Sequence, residues 1–368
     1  MSTVGARTEA TVEQLEVAAY EVPTDAPEAD GTLAWDSTTI VVVHAHGGGD
    51  TGVGYTYADL ATAKLVQSKL VDAVCGRDAL SPRGAWAAMV RQIRNLGRPG
   101  IASMAIAAVD TALWDLKARL LELPLCKLLG MANDSVPVYG SGGFTSYSVS
   151  RLQEQLAGWV ERGIPRVKMK IGSDPDQDPE RVRCARQAIG PNADLFVDAN
   201  GAYRAKQALA LAERFAAEAG VTWFEEPVSS DDLSGLHLLR DRAPSAMEIA
   251  AGEYGYDVGY FERMLGCVDV LQADVTRCGG ITELMRVDGL CRAHCAPLSL
   301  HCGPAIHLHP GLALDRLVHL EYFHDHVRIE QLLFEGVAGP RNGALWPDLE
   351  RPGNGLEFKR ADAERYAA

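Results

Sequence analysis

RVKMK (166–170), LFVD (195–198), TWFE (222–225), EIAAGE (248–253), VLQAD (270–274), PLSLH (297–301) and LVHLE (317–321) are seven short apolar runs, each ending in a side chain that can do chemistry. The ends are Lys170, Asp198, Glu225, Glu253, Asp274, His301 and Glu321, spaced by 28, 27, 28, 21, 27 and 20 residues. Helix-like segments such as 205–219 and 282–294 lie between them. A continuous apolar run reads as a strand buried on both faces, hence a parallel sheet. Strand–helix repeats with a polar residue at each strand's C-terminal end predict an α/β fold, a (β/α) barrel whose active site lies at that end.

Working outward, VPVYGSGG (136–143) reads as the first barrel strand and 151–162 as its helix. On the N-terminal side, residues 1 to about 12 are polar and expected to fray. The segment 12–22 reads as a strand, 23–36 as a loop, 38–46 as a strand, and 47–57 as a second loop opened by Gly47–Asp50. Helical patterns follow at 58–74, 82–95 and 101–123. After Glu321 a helix is expected at 329–334, and the remaining Gly- and Pro-rich tail should fold back over the N-terminal region. The expected domains are a cap over 1–132, a barrel over 133–330 and a returning segment over 331–368.

With 368 residues, the chain can bury a large core. A net charge of −14 argues against nucleic acid or an anionic membrane surface as partner. Neither a signal core nor an apolar run of about 18 residues is visible, so the expected location is the cytoplasm and no membrane span is expected. Eight scattered cysteines fit reduced thiols. Cys291 and Cys295 are read as buried core thiols, because their spacing does not match the usual zinc motifs.

In a strand, residues i and i+2 share a face. Lys168 and Lys170 therefore point together into the barrel mouth, where mutual repulsion should lower one pKa toward that of a general base. Asp198, Glu225 and Glu253 come from three successive strand ends. Converging carboxylates repel, and a hard cation such as Mg²⁺ relieves that. Glu226 should face away, and Asn200 shares the face of Asp198, placed to bind substrate. Asp274 beside His301 makes an acid/base pair. Glu321, if protonated, could donate a hydrogen bond to a substrate carboxylate. The 23–57 region, with Trp35 and Tyr55, should close over the mouth and select the substrate.

The set KMK (168–170), VDANG (197–201), WFEEP (223–227), GE (252–253), QAD…GG (272–280) and His301 resembles the mandelate racemase subgroup of the enolase superfamily. Asp110, LWD (113–115) and LLG (128–130) resemble that family's capping-domain helix, and 347–358 its C-terminal return. The resemblance covers nearly the whole chain. It implies a modified (β/α)7β barrel under an α+β cap built from both termini. It implies Mg²⁺ on Asp198, Glu225 and Glu253, Lys170 as base with Lys168 beside it, and His301 with Asp274 on the opposite face of the substrate. The reaction implied is abstraction of the proton α to a carboxylate, giving a metal-stabilised enediolate. Dehydration of a sugar acid to a 2-keto-3-deoxy acid is the expected outcome, with racemisation of a 2-hydroxy acid as the alternative. A homo-oligomer, dimer or octamer, is also implied. Two further readings compete. One is a zinc-dependent barrel hydrolase, prompted by His44-Ala-His46. The other is a non-catalytic scaffold, which would not need so costly a cluster of charge.

Overall fold

The structure, a computed structural model, describes residues 9–368. The expected frayed start therefore lies largely outside the described residues. The N-terminal region forms an antiparallel sheet of β1 (Val12–Ala29), β2 (Ala34–Gly47) and β3 (Asp50–Tyr57). Helices follow: α1 (Leu60–Leu65), a π turn (Val66–Leu70), α2 (Val71–Val74), α3 (Pro82–Gln92), α4 (Ile101–Leu120) and α5 (Leu125–Leu129).

The barrel strands are β4 (Val136–Gly142), β5 (Arg166–Lys170), β6 (Asp194–Asp198), β7 (Val221–Glu225), β8 (Glu248–Ala251), β9 (Val270–Ala273), β10 (Leu298–Leu300) and β11 (Leu317–Phe323). They pair in parallel in chain order, and β11 pairs with β4 to close the ring. The helices between them are α6 (Val149–Glu161), α7 (Asp178–Ile189), α8 (Ala205–Ala219), α9 (Leu233–Arg242), α10 (Val258–Leu265), α11 (Ile281–Ala293) and α12 (Pro304–Gly311). The barrel expected from the strand spacing is thus present. After β11 the helix α13 begins at His324 and ends at Leu333, five residues earlier at its start than the sequence pattern indicated.

The i, i+2 rule also builds the barrel floor. Tyr139, Phe196, Trp223 and His319 lie two residues before Ser141, Asp198, Glu225 and Glu321 and point inward with them. Phe196 stacks on Trp223 at 5.3 Å, and Tyr139 meets His319 edge-on at 4.8 Å. This buried aromatic layer closes the barrel below the polar ring.

The N-terminal region departs from expectation in one respect. Most of 23–36 and 47–57 continues the sheet, and only 30–33 and 48–49 are turns. Pairing of β1 with β2 breaks between Pro23 and Glu28 and resumes at Glu28↔Trp35. Pro23 and Pro27 carry no N–H for the ladder, so the strand passes through them with a register shift. Gly48 and Gly49, both with positive φ, make the tight turn into β3.

Against this sheet lies α4, and β3 admits it closely. A Cβ on Gly54 would sit 2.3 Å from the carbonyl oxygen of Ala108. Two buried acids on α4 then tie the pieces together. Asp110 accepts from the Thr282 N–H (2.8 Å) and hydroxyl (2.7 Å) at the start of α11. Asp115 accepts from Val53 N and from Asn354 N in the tail. The tail adds β12 (Phe334–Glu335), β13 (Ala344–Leu345), β14 (Glu357–Phe358) and α14 (Arg360–Ala363). Strand β13 pairs antiparallel with the start of β4, β14 pairs with β12, and Ala367 bridges to Tyr20 on β1. Among the described residues no helix is long and apolar enough to cross a membrane.

Between the cap and α13, the buried Tyr55 hydroxyl donates to Glu330 Oε1 at 2.6 Å, and Ala305 N donates to Glu330 Oε2. Burial pushes this carboxyl from its ordinary 4.5 up to about 8, against both hydrogen bonds. Between those values the folded protein keeps a proton that the unfolded chain has lost. Its contribution to stability is therefore full below the lower value and declines as pH rises through the upper one. Glu330→Gln should flatten the fall in stability between about pH 5 and 8 in urea titrations; an unchanged slope would show that the group does not titrate there. Gly54→Ala should destabilise by about 1–3 kcal/mol by forcing α4 off β3, and a midpoint equal to that of the native protein would refute the close-approach argument.

Candidate active site

Because the barrel strands run parallel and in register, their C-terminal side chains meet at one end. Lys170 is opposite Asp198, and Asp198 opposite Glu225. Glu253 follows just beyond β8. Asp198, Glu225 and Glu253 are buried, and one carboxylate oxygen from each lies within 4.8 Å of the others. Glu253 Oε2 is buried with no hydrogen-bond partner. An all-oxygen, buried, mutually repelling donor set with an unmet acceptor fits a hard divalent cation.

Lys168 sits beneath, fully buried. Its ammonium contacts Glu225, Glu321 (2.8 Å) and Asp198 (3.3 Å) and lies 5.3 Å from the ring centre of Tyr139. Lys170 Nζ donates to Asp198 Oδ2 at 2.5 Å. The expected depression of a lysine pKa is not found. Burial, the largest influence, and Lys168 push Lys170 down, but Asp198, Glu321 and Glu253 together outweigh them and hold it above its ordinary value. Burial likewise opposes the charge on Lys168, and Glu225 and Glu321 hold it well above. The two ammonium groups are outnumbered by carboxylates, a balance that reading the lysines as an isolated pair omits.

Glu321 also differs from expectation. Burial would raise its pKa, but Lys168 and His301 hold it well below the usual carboxylate range. It accepts from Ser141 Oγ (2.5 Å) and Cys302 N (3.1 Å), so here it is an ionised acceptor, not a protonated donor. Glu226 does not face away. Its φ of 37° breaks the strand alternation, and its side chain is buried in the mouth, where burial and then Glu253 and Asp198 push its pKa well up.

His301 Nδ1 lies 2.8 Å from Asp274 Oδ2. Burial alone would raise the Asp274 pKa; the hydrogen bond to His301, the charge of that imidazole, His307 and Arg277 together outweigh it and hold the carboxylate below its ordinary range. With Nδ1 so engaged, Nε2 points into the mouth, 3.4 Å from Glu253 Oε2 and 3.7 Å from Glu321 Oε2. Around the barrel, Lys170 on β5 and His301 after β10 flank the arc of carboxylates from β6 to β8.

A cavity of about 430 Å³ opens between this ring and the cap. Lys170, Asn200, Glu253 and His301 line it from below; Trp35 and Tyr57 line it from above. The turn between β1 and β2 seats directly on the mouth. A Cβ on Gly31 would lie 2.4 Å from Ala199 O and 2.7 Å from Ile171 O, so only glycine allows that approach. Asn200 presents a buried, unpartnered Oδ1. The Trp35 indole N–H is taken by Glu28 Oε2 (3.0 Å), leaving its ring as the part free to meet a ligand. Tyr55 is misassigned as a substrate contact: it is buried against Phe334 and Glu330 in the seam behind the cavity. Tyr57, two residues on, reaches the cavity and stacks on His326.

Several lining residues were not singled out from sequence. Arg277 lies between Glu253 Oε1 (3.3 Å) and Asp274 Oδ2 (3.7 Å); its place three residues after QAD was the available signal. Cys302 follows His301 directly, with its thiol 3.2 Å from both His301 Nε2 and Glu321 Oε2. His326 is held neutral, burial pushing it down to about 3. The histidines that prompted a zinc reading lie elsewhere. His44 and His46 are on β2, in a groove shared with Arg119 and Arg360. Cys291 is buried as expected, but Cys295 is exposed, at the turn after α11.

Sequence and structure comparisons agree with this geometry. Residues 151–363 match the family model described as enolase C-terminal domain-like. Residues 14–130 match the N-terminal domain of mandelate racemase / muconate lactonizing enzyme. The chain is similar to 3,6-anhydro-alpha-L-galactonate cycloisomerase of Streptomyces coelicolor, 32% identical over 95% of this chain and 98% of that protein. A mandelate racemase/muconate lactonizing enzyme-like protein from Rubrobacter xylanophilus superimposes with a TM-score of 0.96 at 61% identity, over 97% of this chain and 100% of that one. L-talarate/galactarate dehydratase from Salmonella typhimurium, liganded with Mg and L-lyxarohydroxamate, gives a TM-score of 0.89 at 26% identity, over 100% of this chain and 95% of that one.

Removing the buried ammonium should expose the cost of the carboxylate ring. Lys168→Met in the presence of chelator should lose about 3–5 kcal/mol of stability, and added Mg²⁺ should recover part of it. A chelated variant as stable as the native protein would mean that the ring needs no counter-charge.

Proposed function

The chain belongs to the mandelate racemase/muconate lactonizing enzyme family of the enolase superfamily, and from that premise we propose that it is a Mg²⁺-dependent dehydratase of sugar acids. The observation that carries this reading is one cavity lined by both Lys170 and His301, with Glu253 between them. Asp198, Glu225 and Glu253 would hold Mg²⁺, which supplies positive charge to bind a substrate carboxylate and offset charge developing on it.

The chain's own groups do the rest. Lys170 accepts the proton α to the carboxylate. In the present arrangement its ammonium is tied to Asp198, and Lys168 presses its pKa down, so whatever draws charge from Asp198 makes Lys170 a better base. His301 acts from the other flank. Asp274 fixes its Nδ1 and stabilises the imidazolium, leaving Nε2 as the proton donor toward a β-hydroxyl. Loss of the α-proton and of the protonated hydroxyl releases water and leaves an enol, which becomes the 2-keto-3-deoxy acid. Glu321, ionised and fastened to Lys168 and Ser141, keeps the floor of the site rigid. Racemisation remains the second reading, because a base on each flank also permits reprotonation from the far side.

The roles separate experimentally. With Mg²⁺ and a panel of sugar acids, the native protein should form a 2-keto acid, and chelation should abolish it. His301→Asn should lower keto-acid formation by roughly 10²–10⁴-fold yet still exchange the α-proton with solvent deuterium through Lys170. Lys170→Ala should do neither. Inversion at the α-carbon without keto acid would make the protein a racemase.

A further inference from the structure

We infer that the substrate is a monocarboxylate sugar acid, an aldonate with a neutral, hydroxylated tail, and not a dicarboxylate. This deepens the proposed dehydration at the same site and rests on it. Family membership does not decide the matter, since relatives are named for a galactonate and for a galactarate. The charge of the cavity does.

Among the described residues, all the fixed positive charge that lines the cavity belongs to the barrel. Lys170 and Arg277 are its cationic lining residues, each bound to a carboxylate of the ring, Asp198 and Glu253. That end takes the reacting carboxylate. The opposite end is built by the cap, from Asp30, Ser37, Thr38, Thr39, Tyr57 and Asp59 among others, and none of its lining residues is Lys, Arg or His. The nearby cations on that side are engaged elsewhere: Arg151 reaches Asp25 and Tyr147, and Arg328 binds Asp325 and Pro23 O. His326, from α13, is held neutral.

The two cap acids are fixed in place. Asp30 Oδ1 accepts from Thr32 N and Leu33 N, shaping the hairpin turn, and Asp59 Oδ1 accepts from Ala61 N, capping α1. Among the described residues, Oδ2 of each takes no hydrogen bond. Two carboxylates, each with a free oxygen, suit hydroxyl donors. A second carboxylate placed there would meet like charge with no counterion, an arrangement that recognition sites use to reject a partner. Trp35 and Tyr57 offer ring faces for the carbon side of a polyol.

The test compares matched acids on the Mg²⁺-loaded full-length protein: D-gluconate and D-galactonate against D-glucarate and galactarate. An aldonate should give keto acid with kcat/KM at least about 100-fold above either aldarate. Equal or better turnover of an aldarate overturns the inference while leaving dehydration standing. Should no acid yield keto acid or exchange deuterium, the dehydration reading fails, and calorimetric binding still decides the charge argument. Tighter binding of D-galactonate than of galactarate supports it, tighter galactarate refutes it, and binding of neither sinks both readings. Asp59→Asn keeps a helix-capping side chain. It should raise the aldarate-to-aldonate ratio about tenfold, whether in turnover or in binding; an unchanged ratio shows that the cap acids do not select.

Discussion

Everything at the barrel mouth depends on how a surplus of buried negative charge is tolerated. Six carboxylates, Asp198, Glu225, Glu226, Glu253, Asp274 and Glu321, are buried there, against three cations, Lys168, Lys170 and Arg277. The surplus is relieved in three ways. Lys168 is shared among Asp198, Glu225 and Glu321, so one ammonium serves three acids. Glu226 is pushed toward its neutral form by burial and by Glu253. What remains is concentrated on Asp198, Glu225 and Glu253, where a divalent cation would answer it. Unmet charge that would be a defect in a structural core would here become a source of affinity for a cation.

The fold makes this concentration possible without strain on the strands themselves. Register fixes which residues share a level, and alternation fixes which face inward. One level down, Tyr139, Phe196, Trp223 and His319 pack as an aromatic plug. That plug keeps water from reaching Lys168 from below, so its ion pairs act in a low dielectric and hold the ring rigid. The cap does the corresponding work above. Its seating contacts include Gly31 against the backbone at Ile171 and Ala199, Thr56 Oγ1 on Thr276 O (2.8 Å), Trp86 Nε1 on Gly279 O (2.8 Å), and Asp110 on Thr282.

What could be read in the sequence follows the range of the interactions involved. Strand ends were legible because a buried parallel strand announces itself locally, as LFVD and VLQAD do. The hairpin arm was not. Pro23 and Pro27 are local signals for a loop, and only the partner strand, Glu28↔Trp35, shows that the ladder resumes beyond them. Tyr55 and Tyr57 lie on one face of β3, so alternation cannot say which of them reaches the cavity; that depends on where the strand ends over the barrel. Protonation was legible least of all. Lys168 beside Lys170 suggests repulsion when two residues are considered, but acids from β6, β7 and β11 reverse the sign. Glu226 was misplaced for a different reason, because a single left-handed residue ends the strand periodicity where it matters.

The division of charge between the two halves of the cavity also explains why the halves come from different parts of the chain. The barrel contributes groups whose positions are coupled by register and by shared ions, so substituting one disturbs the others. Lys168 alone touches three acids. The cap contributes two acids whose side-chain contacts are local: Asp30 holds its own turn, and Asp59 caps its own helix. Such residues can change one at a time without unbalancing the ring. On the proposed reading, reaction chemistry belongs to the part of the molecule that is hard to vary, and substrate choice to the part that is easy to vary. That is the physical basis for a single barrel serving many acids.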